Sequence, residues 1–143
     1  MHWLSLASWL LAVHVLANIV WIGALLAVAL VGSRAPFMAD MAEVAGIARR
    51  VHLQLAVPAF VTSFVAGGAR FVLYFNVYRH LPWMHAKLTF ALVVIVLHHV
   101  IGARVRRVAQ GSPEAGRGLP ALAWATFACA SVTVLFAIFK SLP

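Results

Sequence analysis

Residues 83–99 read W-M-H-A-K-L-T-F-A-L-V-V-I-V-L-H-H, and no other stretch constrains the fold so strongly. The segment is apolar enough to cross a bilayer, yet it holds Trp83, His85, Lys87, His98 and His99. Ionisable groups at that depth are costly; they face a protein interior or a cavity and mark function. On a helix of about 100° per residue, Lys87 and His98 lie only about 20° apart around the axis, and Trp83 about 40° from Lys87. His85 and His99 lie about 40° apart around the axis and roughly 21 Å apart along it. One face thus carries Trp83, Lys87 and His98, and another carries His85 and His99. A helix that merely spanned the membrane would need none of them.

The rest of the chain supplies the company such a helix needs. Of 143 residues, 64% are hydrophobic and 10% charged, which is the composition of a polytopic membrane protein and not of a soluble domain. A formal charge of +8 is compatible with nucleic-acid binding. Here, however, the arginines and lysines cluster in the gaps between apolar runs, as juxtamembrane charges do. Four runs stand out, at roughly 4–31, 51–73, 82–103 and 119–139. The expectation is an all-α integral membrane four-helix bundle, with residues 1–143 forming one transmembrane domain. The N-terminus lacks the basic segment and small-residue cleavage site of a removed signal, so the first run is expected to be a retained helix. Asp40 followed by Glu43 resembles a capping box and predicts a short surface helix in the first loop. Cys129, the single cysteine, reads as a small packing residue.

Polar residues recur inside the other runs. His14, Asn18 and Trp21 stand at i, i+4 and i+7 on one face of the first. They read either as an inward-facing site or as a helix–helix hydrogen bond. In the second run Pro58 predicts a kink, and Gly67-Gly68 permits close helix approach. His52 lies near its start, as an interfacial residue or as a ligand. Arg70 lies near its end, snorkelling to the interface or pairing with a ligand carboxylate. In the fourth run Ala121, Ala125, Cys129, Thr133 and Ala137 form a small-residue stripe suited to close packing.

Four spans put both chain ends on one side. The first and third loops carry seven arginines (Arg34, Arg49, Arg50, Arg104, Arg106, Arg107 and Arg117) against Arg70, Arg79, Lys140 and Lys87 opposite. That bias predicts those loops in the cytoplasm and both termini outside, which in a bacterial inner membrane, the expected location, is the periplasm. Alternating helix directions then place His14 and His85 toward the outer ends, and His52, His98 and His99 toward the inner ends. Two histidines on facing helices are how a bundle holds a b-type haem, so one haem is expected and two are possible. The spacing on the third helix would stack two haems roughly 20 Å apart. Copper is the rival, since imidazole suits it as well. Lys87, desolvated, would serve as proton donor or acceptor, or hold a substrate carboxylate.

These residues resemble the HemJ-type protoporphyrinogen oxidases, and more loosely the membrane region of CopD-type copper-resistance proteins. The likeness to HemJ rests on His14 followed by Trp21, on Pro58 early in the second helix, and on Trp83, His85, Lys87 and Leu88 followed by His98 and Gly102. It implies a four-helix membrane oxidoreductase with His14, His85 and Lys87 essential and a b-haem bound. His14, His52, His85, His98 and His99 are the axial-ligand candidates, with Arg70, Trp21 and Trp83 beside the cofactor. The implied reaction takes protoporphyrinogen IX to protoporphyrin IX, with electrons passed to quinone or another respiratory carrier. The segment I-G-A-L-L-A-V-A-L-V-G-S-R-A-P after Trp21 departs from the HemJ pattern and is closer to CopD. The alternatives are a haem electron-transfer subunit without porphyrinogen chemistry and a CopD-like copper carrier. The small-residue stripe leaves a homo-oligomer or a respiratory-complex partner open.

Overall fold

The protein, seen as a computed structural model described over residues 5–139, forms helices and no strands among those residues, and four of its helical stretches are long and apolar enough to cross a membrane. Helix α1 runs Leu6–Arg34, capped by the Ser5 side chain, which accepts from the Ser8 amide. A short turn at Ala35–Phe37 leads to α2, Met41–Val51. Asp40 caps α2 by accepting from the Glu43 amide at 2.9 Å, satisfying one donor of the open first turn. The surface helix expected there does not stop at the membrane. It continues through a widened π-helical stretch, His52–Ala56, into α3, Val57–Leu73. The cause lies in Pro58, whose missing N–H and bulky ring disrupt the regular ladder one turn earlier. Val57 N–H accordingly reaches back to the His52 carbonyl.

A four-residue helix α4, Phe75–Tyr78, turns the chain into α5, Pro82–Ala109, and α6 spans Leu119–Ile138. Helix α5 runs about a turn and a half beyond the end expected from hydropathy, because Arg104, Arg106 and Arg107 extend it out of the apolar layer. Lys140 and Leu4, at the outer margins of the sequence-defined runs, lie outside the described residues.

The interior is built from small and β-branched residues. Leu25 and Val28 of α1 meet Ala48 of α2, Ile101 and Val105 of α5 and Leu119 of α6. Trp21, Ala24, Ala56 and Val94 form a second cluster. Ala35, Ala45 and Val108 close the Arg-rich end. Large side chains such as Leu16, Ile19, Phe64 and Trp124 point outward. Lipid chains solvate them as well as a core would, so close packing of small residues decides which faces meet. Helix α1 lies chiefly against α3, and α5 against α6.

Candidate functional site

Charges mark the depth of each helix. Arg50 and Arg70 are twenty residues apart, as are Lys87 and Arg107. At 1.5 Å per residue each separation is about 30 Å, one hydrocarbon thickness. His52, His98 and His99 lie between these bands, whereas His85 stands just outside the Lys87 band.

Toward the Arg70 end, His14 is half-buried and faces α3. Its Nδ1–H donates to the Ser63 carbonyl at 2.8 Å, and the Asn18 amide donates to its Nε2 at 3.1 Å. The same amide donates to the His14 carbonyl at 2.8 Å. Both ring nitrogens are thus held, which fixes the neutral Nδ1–H form. Gly67 clears the space, since a Cβ there would fall 2.6 Å from the His14 Cε1. Lys87 and Arg70 lie close enough to act on this ring electrostatically. Arg70 ties α3 to α1 by donating from Nη1 to the Ala7 carbonyl at 2.6 Å, and its guanidinium lies over the Tyr74 ring. His85 is exposed and donates from Nε2 to the Arg79 carbonyl at 3.0 Å. Trp83 is half-buried, edge-on to Tyr78.

Toward the other end lies the denser cluster. His98 is 2% exposed, and its Nδ1 accepts the indole N–H of Trp21 at 3.1 Å. The ring stacks on His52, centroids 4.8 Å apart, with Phe60 at 5.0 Å and His99 at 5.2 Å. Gly102, one turn along α5, makes room for His52, whose Nε2 would lie 2.6 Å from a Cβ at that position. This His52 Nε2 is buried without a hydrogen-bond partner. His99 is exposed. A cleft of about 410 Å³ opens here, with Arg49 and Arg106 among its lining, Val57 and Phe60 as apolar wall, and His98 and His99 opposite. His98 lies about 12 Å inward of Arg106 along α5.

The two stripes inferred for α5 therefore differ in environment. His98 is buried, and Lys87 and Trp83 are half-buried, while His85 and His99 are exposed. Phe60, Ser63, Arg49 and Arg106 were not singled out from sequence as site residues. Ser63 meets a partner forty-nine positions away and has no local signature. The two arginines look like ordinary juxtamembrane charges until α2 and α5 are brought together.

The geometry bears on the expected haem. An indole N–H only donates, so His98 Nδ1 is an acceptor and the ring proton sits on Nε2. Ligation through that Nε2 would require the proton to leave, or to move to Nδ1 against the indole N–H. His52 and His98 meet face to face, whereas axial ligands aim their nitrogens at each other through the macrocycle. His14 has the right tautomer for an Nε2 ligand but no facing imidazole, since His85 is turned to Arg79. The described histidines thus do not form the pair that a bis-imidazole haem requires. Among the described residues, no three His, Cys, Asp or Glu side chains are grouped to share a metal ion. Compared with family models, curated proteins and solved structures, the chain matches none.

Proposed function

We propose that this multi-pass membrane protein is a HemJ-like oxidoreductase that converts protoporphyrinogen IX to protoporphyrin IX in the cleft between the π-helical stretch, α3 and α5. The observation that carries the reading is the cleft itself, with two arginines at the depth of the lipid headgroups and an imidazole–aromatic cluster about 12 Å deeper. A porphyrinogen is an amphiphile of matching form, with two propionates at one edge and an apolar macrocycle behind them. Arg49 and Arg106 are suited to the propionates, since a guanidinium pairs a carboxylate through two parallel donors. Phe60 and Val57 provide an apolar wall for the macrocycle.

His99, at the lip of the cleft, is the candidate proton acceptor. His98, carrying its proton on Nε2, is a donor held in place by Trp21. Every pair of hydrogens lost by the porphyrinogen reduces a quinone to a quinol, which diffuses away in the bilayer. The resemblance through His14, Trp21, Pro58, Trp83, His85, Lys87, Leu88, His98 and Gly102 implies the same reaction. Of these, however, only His98 and Gly102 line this cleft, while His14, His85 and Lys87, which it implies are essential, lie toward the Arg70 end. In this reading the arginine-rich end faces the cytoplasm of a bacterium and both termini face the periplasm, following the excess of arginine in the first and third loops.

The test is rescue of a strain lacking its own protoporphyrinogen oxidase, followed by assay of the purified protein with a water-insoluble quinone. Arg106→Gln is expected to raise KM for the porphyrinogen about tenfold, the loss of one charge-assisted pair, with kcat little changed. Failure of the wild-type gene to rescue, under conditions where a HemJ oxidase does, overturns the proposal.

A further inference from the structure

A second cleft of about 560 Å³ adjoins the first and shares Arg49 and Leu53 with it. Its remaining lining includes Glu43, Gly46 and Arg50 of α2 and Ala109 of α5. Arg49 and Arg50 are exposed, and among the described residues neither guanidinium enters a hydrogen bond or ion pair. Both stand at the band of charge that lies about 30 Å from Arg70, the level of lipid phosphates. The floor is open at Gly46, where an added Cβ would meet nothing within 4 Å. Leu53, exposed one turn deeper, continues the cleft into the hydrocarbon layer.

We propose that this cleft is a binding site for an anionic glycerophospholipid of the leaflet at the arginine-rich end, one whose headgroup bears a free hydroxyl, as phosphatidylglycerol does. The phosphate lies between Arg49 and Arg50, donors matched to its oxygens. The headgroup hydroxyl donates to the Glu43 carboxylate, and an acyl chain descends along Leu53. Charge complementarity selects the occupant. Seven arginines and only Asp40, Glu43 and Glu114 lie at this end of the bundle, so an anion is drawn there and a zwitterion is not. A soluble anion would leave the Leu53 wall uncovered. The two clefts share Arg49 and Leu53, so lipid and tetrapyrrole would compete for the Arg49 guanidinium. Gly46, Arg50 and Glu43 lie outside the cleft assigned to the tetrapyrrole, and the test at Arg50 and Gly46 therefore reads the lipid site alone.

The experiment is native mass spectrometry of the full chain in nonionic detergent, titrated with phosphatidylglycerol and with phosphatidylcholine of the same acyl chains. The wild type is expected to prefer phosphatidylglycerol. Arg50→Gln should weaken that lipid about fivefold, the effect of one surface cation. Gly46→Leu should abolish the preference by filling the floor, and Gly46→Ala should retain it. Equal binding of the two lipids, or a preference that survives Gly46→Leu, overturns the proposal. Displacement of the lipid by free glycerol phosphate at equal concentration assigns the cleft to a soluble anion and overturns the lipid as occupant. If Gly46→Leu does not fold, the exposed Arg50→Gln decides alone: an unchanged preference there overturns the site.

Discussion

An alanine at position 67 would bring its Cβ within 2.7 Å of His14 Nδ1, and one at 102 within 2.6 Å of His52 Nε2. Neither ring can retreat without giving up its place between helices, so each Gly→Ala change is expected to destabilise by about 1–3 kcal/mol, the usual range for overpacking. Thermal unfolding in detergent measures the loss, and a neutral result would mean that the rings move freely. Trp21→Phe is a different probe, because it keeps an aromatic ring and removes only the indole N–H. Buried His98 Nδ1 would lose its donor, at about 1–3 kcal/mol for an unsatisfied group. The ring proton would also gain a second place to sit. ¹⁵N chemical shifts of His98 are expected to report the Nε2–H form in the wild type and a tautomer mixture in Trp21→Phe. Identical spectra would show that the Trp21 bond does not set the proton.

At the level of elements, the π-helical stretch His52–Ala56 sets the cleft. It holds one extra residue in a widened turn between α2 and α3, where the Val57 N–H reaches the His52 carbonyl, and His52 and Arg49 line the cleft beside it. Deleting Gln54, which is exposed within the stretch, should restore a regular ladder. Because the wide turn absorbs the extra residue, the flanking helices keep their phase and the side chains of the turn itself, His52 among them, are displaced. Helix content by circular dichroism is expected to stay the same, while tetrapyrrole affinity falls to background. Retained affinity would show that the π-helical stretch does not shape the site. Pro58 pointed to this irregularity, but as a kink; whether a helix bends, widens or breaks at a proline depends on what packs beside it.

For the molecule as a whole, four spans require residue 112 and residue 76 to lie on opposite sides of the bilayer. In a Cys129→Ala background, Ser112→Cys and Asn76→Cys should react with a membrane-impermeant maleimide from opposite faces of oriented vesicles. Labelling of both from one face would remove a span. Reading the four helices required no tertiary information, because each apolar run is long enough to satisfy its own backbone inside lipid. The site was legible only in part. His14, Asn18, Trp21, His52, His98 and His99 stood out as polar or amphipathic groups in apolar surroundings, which the sequence itself displays. Phe60 and Ser63 did not, since a phenylalanine or serine in an apolar run is ordinary until its neighbour is known.

The sequence by itself determined that this chain is a membrane helical bundle, where its charges lie along each helix, and which side chains are too polar to face lipid. These are properties of single segments, set by length, hydropathy and an angle of about 100° per residue. Only the tertiary structure decided that His98 is buried beneath Trp21 while His99 is exposed, and that His14 is saturated by Ser63 and Asn18. It also decided that Arg49 and Arg106 share one cleft. The reason is physical: lipid solvates apolar faces almost equally well, so the choice between neighbouring faces of a helix falls to small-residue packing and a few long-range hydrogen bonds, neither of which is encoded within one segment.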